Sequence, residues 1–115
     1  MNELRELVFF KKQFLQFYLN LEAGAQKKYD YVFIILKQAE KIPIKFFKKI
    51  TGSKNLFEIR VEYQSNIFRT FCCFDGKNLV ILFNSFNKKS QKTPKNQIIK
   101  AEKLLKEYFN EKEQN

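Results

Sequence analysis

Arg60, Arg69 and the adjacent Lys88 and Lys89 lie in, or just after, three successive apolar runs. If those runs are neighbouring strands and the two arginines share a face, two guanidiniums and an ammonium meet over one sheet surface. Such a group binds a phosphate, and holds it most tightly as charge develops in a phosphoryl-transfer transition state. Glu58, two residues before Arg60 on its face, is placed to orient the arginine or to act as a base. The plainer alternative is a structural Glu58–Arg60 or Glu62–Arg69 ion pair on the sheet. Arg69 is the unusual residue of the set, because its face is otherwise Ile67, Phe71 and Cys73. A charge among such neighbours is costly unless paired or used.

The elements that must position these groups lie between Leu56 and Pro94. Gln64-Ser65-Asn66 and Asp75-Gly76-Lys77-Asn78 divide this stretch into three strands of an antiparallel meander, since Asp-Gly supplies the positive φ of a tight hairpin. The first strand alternates, with Phe57, Ile59, Val61 and Tyr63 on one face and Glu58, Arg60, Glu62 and Gln64 on the other. The third, Leu79 to Phe86, is nearly all apolar, as expected of a central or doubly covered strand. It ends in Asn87-Lys88-Lys89, which puts two ammonium groups at the sheet rim.

Upstream, Leu4 to Phe10 reads as a short opening strand. Phe14, Phe17, Tyr18 and Leu21 then recur with helical spacing, Ala23-Gly24 interrupts with the glycine placed to end a helix, and Tyr29, Val32, Phe33 and Leu36 repeat the pattern. The expected result is a helical hairpin, its second helix over about residues 25–39, covering one sheet face. Lys45, Lys48, Lys49 and Lys54 follow in a stretch without acids, around a short strand at Phe46, Phe47 and Ile50 and a turn at Thr51-Gly52-Ser53. They form either a solvated loop or one wall of a phosphate-binding cleft. Thr93-Pro94 opens a last helix as N-cap and first residue. Ile98, Ala101, Leu105 and Tyr108 give that helix an apolar stripe opposite its lysines.

Composition bounds the chemistry further. The 115 residues suffice for a single domain over 1–115, and a net charge of +10 favours a polyanionic partner. Histidine is absent, which removes Ser-His-Asp, Cys-His and HExxH chemistry. Cys72 and Cys73 are adjacent in a strand and point to opposite faces, so neither a disulfide nor a zinc site is expected. No metal or other cofactor is called for. No run suits a membrane span, and the N-terminus is charged too early for a signal peptide, so a cytoplasmic location is expected.

The succession KITGSKNLFEIR (Lys49 to Arg60), IFR (Ile67 to Arg69) and LFNSFNKKSQKTP (Leu82 to Pro94), leading into an amphipathic helix, resembles the phage-derived, HigB-like branch of the RelE/ParE toxin superfamily. Phe86, Lys88, Lys89, Lys92, Thr93 and Pro94 match its Phe-x-Lys-Lys-x-x-Lys-Thr-Pro signature, and the resemblance covers about the whole chain. It implies an α+β, RelE-like fold with an N-terminal strand and helical hairpin packed on a small antiparallel sheet and a C-terminal helix. It also implies the toxin of a type II toxin–antitoxin pair, a metal-independent endoribonuclease that cleaves mRNA on the ribosome by attack of the RNA 2′-hydroxyl on the adjacent phosphate. By position, Arg60 and Arg69 would steady the phosphorane, and Lys88 or Lys89 would neutralise charge or assist proton transfer. The segment from Lys45 to Lys54, with Lys92, would hold RNA, and Phe86 would stack on a base or close a strand end. The implied partners are mRNA on the ribosome and a cognate helix-turn-helix antitoxin. A gyrase-poisoning relative that cuts nothing, and a non-toxic RNA-binding module, are the competing readings.

Overall fold

The computed structural model describes residues 3–88 and 94–114. Among them run β1 (Glu6–Phe9), α1 (Gln13–Leu19), α2 (Ala23–Gln38), β2 (Phe47–Lys49), β3 (Phe57–Tyr63), β4 (Asn66–Asp75), β5 (Leu79–Lys88) and α3 (Lys95–Glu113). This is the expected α+β arrangement of strand, helical hairpin, sheet and C-terminal helix. The five strands form one sheet in the order β1-β5-β4-β3-β2. Strands β2 to β5 pair antiparallel as expected, whereas β1 joins β5 in parallel, from Glu6 opposite Leu79 to Phe9 opposite Leu82. The sheet is therefore mixed. The α1–α2 hairpin carries the chain across the sheet to its far edge, and such a crossover permits a parallel pairing that a tight turn does not.

The two faces are covered differently. Phe14, Tyr29, Val32 and Leu36 of the helical hairpin pack on Ile59, Val61, Phe68, Cys72, Val80 and Leu82. Ala101 and Leu104 of α3 close over Phe71, Cys73, Ile81 and Phe83 on the other side. Phe14 sits among the rings of Phe9, Tyr18, Tyr29 and Phe33 at centroid distances of 5.1 to 5.8 Å. Aromatic filling of this kind suits a chain with 14 phenylalanines and no tryptophan. Cys72 and Cys73 divide between the two cores, and burial pushes both thiols up, Cys73 to about 12. Thiols so disfavoured from ionising are packing groups.

Gly24 does not end a helix. It lies in the first turn of α2, where a β-carbon would collide with the Tyr63 ring, so its value is close approach between helix and sheet. At the other end of α2, the Arg5 guanidinium donates to the Leu36, Ala39 and Glu40 carbonyls at 2.7 to 3.0 Å, closing the helix from the segment just before β1.

The α3 helix is tied to the sheet by polar contacts as well as by its stripe. Tyr108 Oη and Lys112 Nζ donate to the Asp75 carboxylate, at 2.6 and 2.7 Å. Those two bonds, Lys112 first, hold the Asp75 carboxyl below its ordinary value of 3.8. A depressed carboxylate contributes stability above that value and loses it as pH falls through the folded-state pKa. Asp75→Asn is expected to cost roughly 1 kcal/mol in urea unfolding at pH 7. The gap between variant and parent should narrow below pH 4.

Candidate functional site

The Gln64-Ser65 turn joins β3 and β4 with two residues, Gln64 taking the positive φ of 55° that the hairpin needs. The register that follows sets Arg60 directly opposite Arg69. Directly opposed residues share a face with their β-carbons about 5 Å apart, and like charges so placed repel. That face is the one α3 partly covers, since Glu58, Arg60 and Glu62 alternate with the Ile59 and Val61 of the hairpin core.

Strand β5 presents Phe86 and Lys88 to this face only because it carries one extra residue. Ser85 pairs with Thr70 but Leu82 pairs with Cys72, so three steps of β5 answer two of β4. Phe83 and its neighbour Asn84 consequently both turn toward α3, Phe83 into the apolar core and Asn84 to donate to the Gln97 carbonyl and side chain at 3.1 and 2.9 Å. Beyond this bulge the alternation is inverted. Phe86 comes to lie opposite Arg69, and Lys88 opposite Ile67. Without the bulge Lys88 would point with Val80 and Leu82 into the helical hairpin.

The result is a basic cluster past the first turn of α3. Arg69 is only 4% exposed and its Nη1 donates to Glu58, itself 1% exposed. This pairing differs from both that the sequence offered, Glu58–Arg60 and Glu62–Arg69: the diagonal neighbour takes Glu58, and Arg60 Nη2 pairs along its own strand with Glu62 Oε1 at 3.0 Å. Lys48 of β2 stands opposite Glu58. Burial, and next the charge of Arg69, depress the Lys88 ammonium, with Lys48 and Arg60 adding to the effect. Four cations thus surround one buried carboxylate. Two guanidinium nitrogens, Nε of Arg60 and Nε of Arg69, are buried without a hydrogen-bond partner among the described residues.

Phe86 borders this cluster opposite Arg69, and the remaining sequence candidates are dispersed. Phe86 is half-buried with its ring 5.4 Å from that of Phe71, on the α3 side. Lys49 stands opposite Phe57 and so belongs to the other face from Lys48. Lys54 lines a shallow cleft against α3 with Ser53, Glu102 and Lys106. Lys45 lies at the sheet edge, in a cleft with Lys28, Tyr31, Phe46, Arg60 and Glu62. Lys89 and Lys92 lie outside the described residues. Sequence reasoning missed Lys28 and Tyr31, although Tyr31 falls off the apolar stripe of α2 and is an exposed aromatic for that reason. No group of three or more metal-ligating side chains occurs among the described residues, and none of their helices is long and apolar enough to cross a membrane.

Known proteins give this arrangement a family. Residues 16–106 match the family described as phage-derived protein Gp49-like (DUF891). The chain belongs to that family, which is a family of RelE-like toxins. A comparison with curated proteins found no match.

Two stability measurements test this electrostatic arrangement. Glu58→Ala leaves the Arg69 guanidinium buried without its counter-ion and is expected to cost about 3–5 kcal/mol in urea unfolding. Lys88→Met acts in the opposite direction. A lysine whose pKa is lowered on folding weakens the fold fully at neutral pH, and that penalty fades as pH rises from its folded pKa to the ordinary 10.5. The variant should therefore melt above the parent at pH 7, by an amount that shrinks toward pH 10.

Proposed function

We propose that this protein is the toxin of a type II toxin–antitoxin pair and a ribosome-dependent endoribonuclease that cuts mRNA without a metal. The observation that carries this reading is the pair of directly opposed arginines, each with a buried, unpartnered Nε, beside a depressed lysine. Buried donors are nearly always paired, and like charges face one another at a cost. A phosphodiester over Arg60 and Arg69 offsets the repulsion between them. Family membership agrees with it.

In this mechanism the substrate supplies the nucleophile. The RNA 2′-hydroxyl adds to the adjacent phosphorus and gives its proton to solvent. The bond to the 5′-oxygen breaks, leaving a 2′,3′-cyclic phosphate and a 5′-hydroxyl. Arg60, half-exposed, meets the phosphorane directly, while Arg69, held by Glu58, acts from beneath as a fixed positive charge. Lys88, or Lys89 next to it, delivers the proton to the departing 5′-oxygen. A depressed pKa suits that role because it makes the ammonium a better acid at neutral pH. Lys48 extends the basic face toward the rest of the strand, and Lys45, Lys49, Lys54 and Lys92 draw the polyanion by charge. Phe86 serves to close the strand end. The partner that restrains the toxin is a helix-turn-helix antitoxin whose acidic or apolar surface covers this face.

Induced expression in growing bacteria, with mRNA 5′-ends mapped, tests the reading. Growth arrest with cuts at translated codons is expected. Arrest with intact mRNA and damaged DNA would replace the reading by a gyrase-directed toxin, and no arrest would leave an RNA-binding module. Arg60→Ala and Lys88→Met should each slow cleavage on ribosomes at least about 100-fold, in line with the loss of a transition-state donor or a positioned acid. Cleavage by the parent should decline as alkaline pH deprotonates Lys88, with a midpoint below 10.5.

A further inference from the structure

The cleft at the edge of the sheet is not used by the cleavage mechanism, yet Arg60 lines both places. Its volume is about 180 Å³, and its walls are Lys28 and Tyr31 of α2, Lys45 and Phe46 before β2, and Arg60 and Glu62 of β3. Pockets for drug-sized ligands run to about 300–1,000 Å³, so this one suits a single planar ring. Tyr31 is 52% exposed, and it is fixed by the Phe46 ring, edge-on at 6.2 Å. Lys28 Nζ lies 5.5 Å from the Tyr31 ring centre and Lys45 Nζ 4.9 Å from that of Phe46. Three cations therefore stand around an aromatic surface that solvent can reach.

We propose that this cleft is a base-binding subsite for the single-stranded RNA nucleotide next to the one whose phosphate lies over Arg60 and Arg69. The proposal rests on the endoribonuclease reading. Single strands are held by interleaving aromatic platforms with cations, the ring stacking on a base and the charges following the backbone. Here Tyr31 provides the platform, and Lys28 and Lys45 hold the flanking phosphate. The Glu62 side chain is 61% exposed and spends one oxygen on Arg60. Its other oxygen can accept from an exocyclic amino group, which favours a base that carries one. Because Arg60 stands directly across from Arg69 and also lines the cleft, a strand with its phosphate on that pair runs past the cleft mouth. An acidic peptide would use the lysines but not the exposed ring face.

Titration of the full chain by NMR, with cytidine 5′-monophosphate, ribose 5-phosphate and inorganic phosphate as probes, tests the subsite. The nucleotide should shift resonances of Lys28, Tyr31, Lys45, Phe46 and Arg60. Tyr31→Ala should weaken the nucleotide about tenfold, as loss of one stacked base does, and leave inorganic phosphate unchanged. Tyr31→Phe should bind like the parent. Equal affinity for the nucleotide and ribose 5-phosphate, or an unchanged Tyr31→Ala, would overturn the subsite. Shifts confined to Arg69 and Lys88, in a chain that still cuts mRNA, would remove the subsite and leave the nuclease reading standing. Base binding in a chain that cuts nothing would overturn its assignment beside a scissile phosphate.

Discussion

One additional residue in β5, at Phe83 and Asn84, sets which side chains meet on the α3 face of the sheet. Strand residues alternate strictly, so a one-residue change in register inverts everything beyond it. Val80 and Leu82 can fill the core under the helical hairpin while Phe86 and Lys88, of the same parity, emerge on the opposite face. A single strand thus serves two environments without a break in pairing. Asn84 is the polar residue that this geometry demands, anchored to Gln97 at the start of α3. The helix and the bulge hold each other in place.

The cluster that results is electrostatically unfavourable by itself. Four cations press on one buried carboxylate, and the fold keeps the Arg69–Glu58 pair at the expense of desolvating both groups. Such an arrangement persists when packing elsewhere over-determines it. In this chain the compensation is visible in the aromatic core around Phe14 and in the Asp75 tie to α3. The long strands β4 and β5 bind these remote supports to the basic cluster.

Much of this was legible in the sequence because it follows from parity. Alternation along Phe57 to Tyr63 and the two polar turns were enough to expect an antiparallel meander, while the shared face of Arg60 and Arg69 stayed a condition that the register meets. The oddity of a charge beside Ile67, Phe71 and Cys73 is met by pairing, since Arg69 is buried against Glu58. The bulge left only a faint trace, a lone asparagine in an apolar run, and local patterns do not encode it. Pairing of β1 with β5 depends on distant residues and has no local sign at all. Gly24 misled because a glycine between two amphipathic stretches looks like a helix end, whereas here it admits the Tyr63 ring. Lysines along 45–54 were alike in composition, and only the register separated Lys48 from Lys49.

The parallel edge pair has a bearing on how the molecule comes into being. Glu6 must wait for Leu79, and the strand that brings Leu79 also carries Lys88. Contacts between such distant parts of a chain form slowly and late. While the polypeptide is emerging, its first strand therefore has nothing to join, and the cationic pocket is unfinished until most of the chain has been made. Assembly of the basic cluster is thereby deferred to the closing stage of synthesis, when β5 has been added to the sheet.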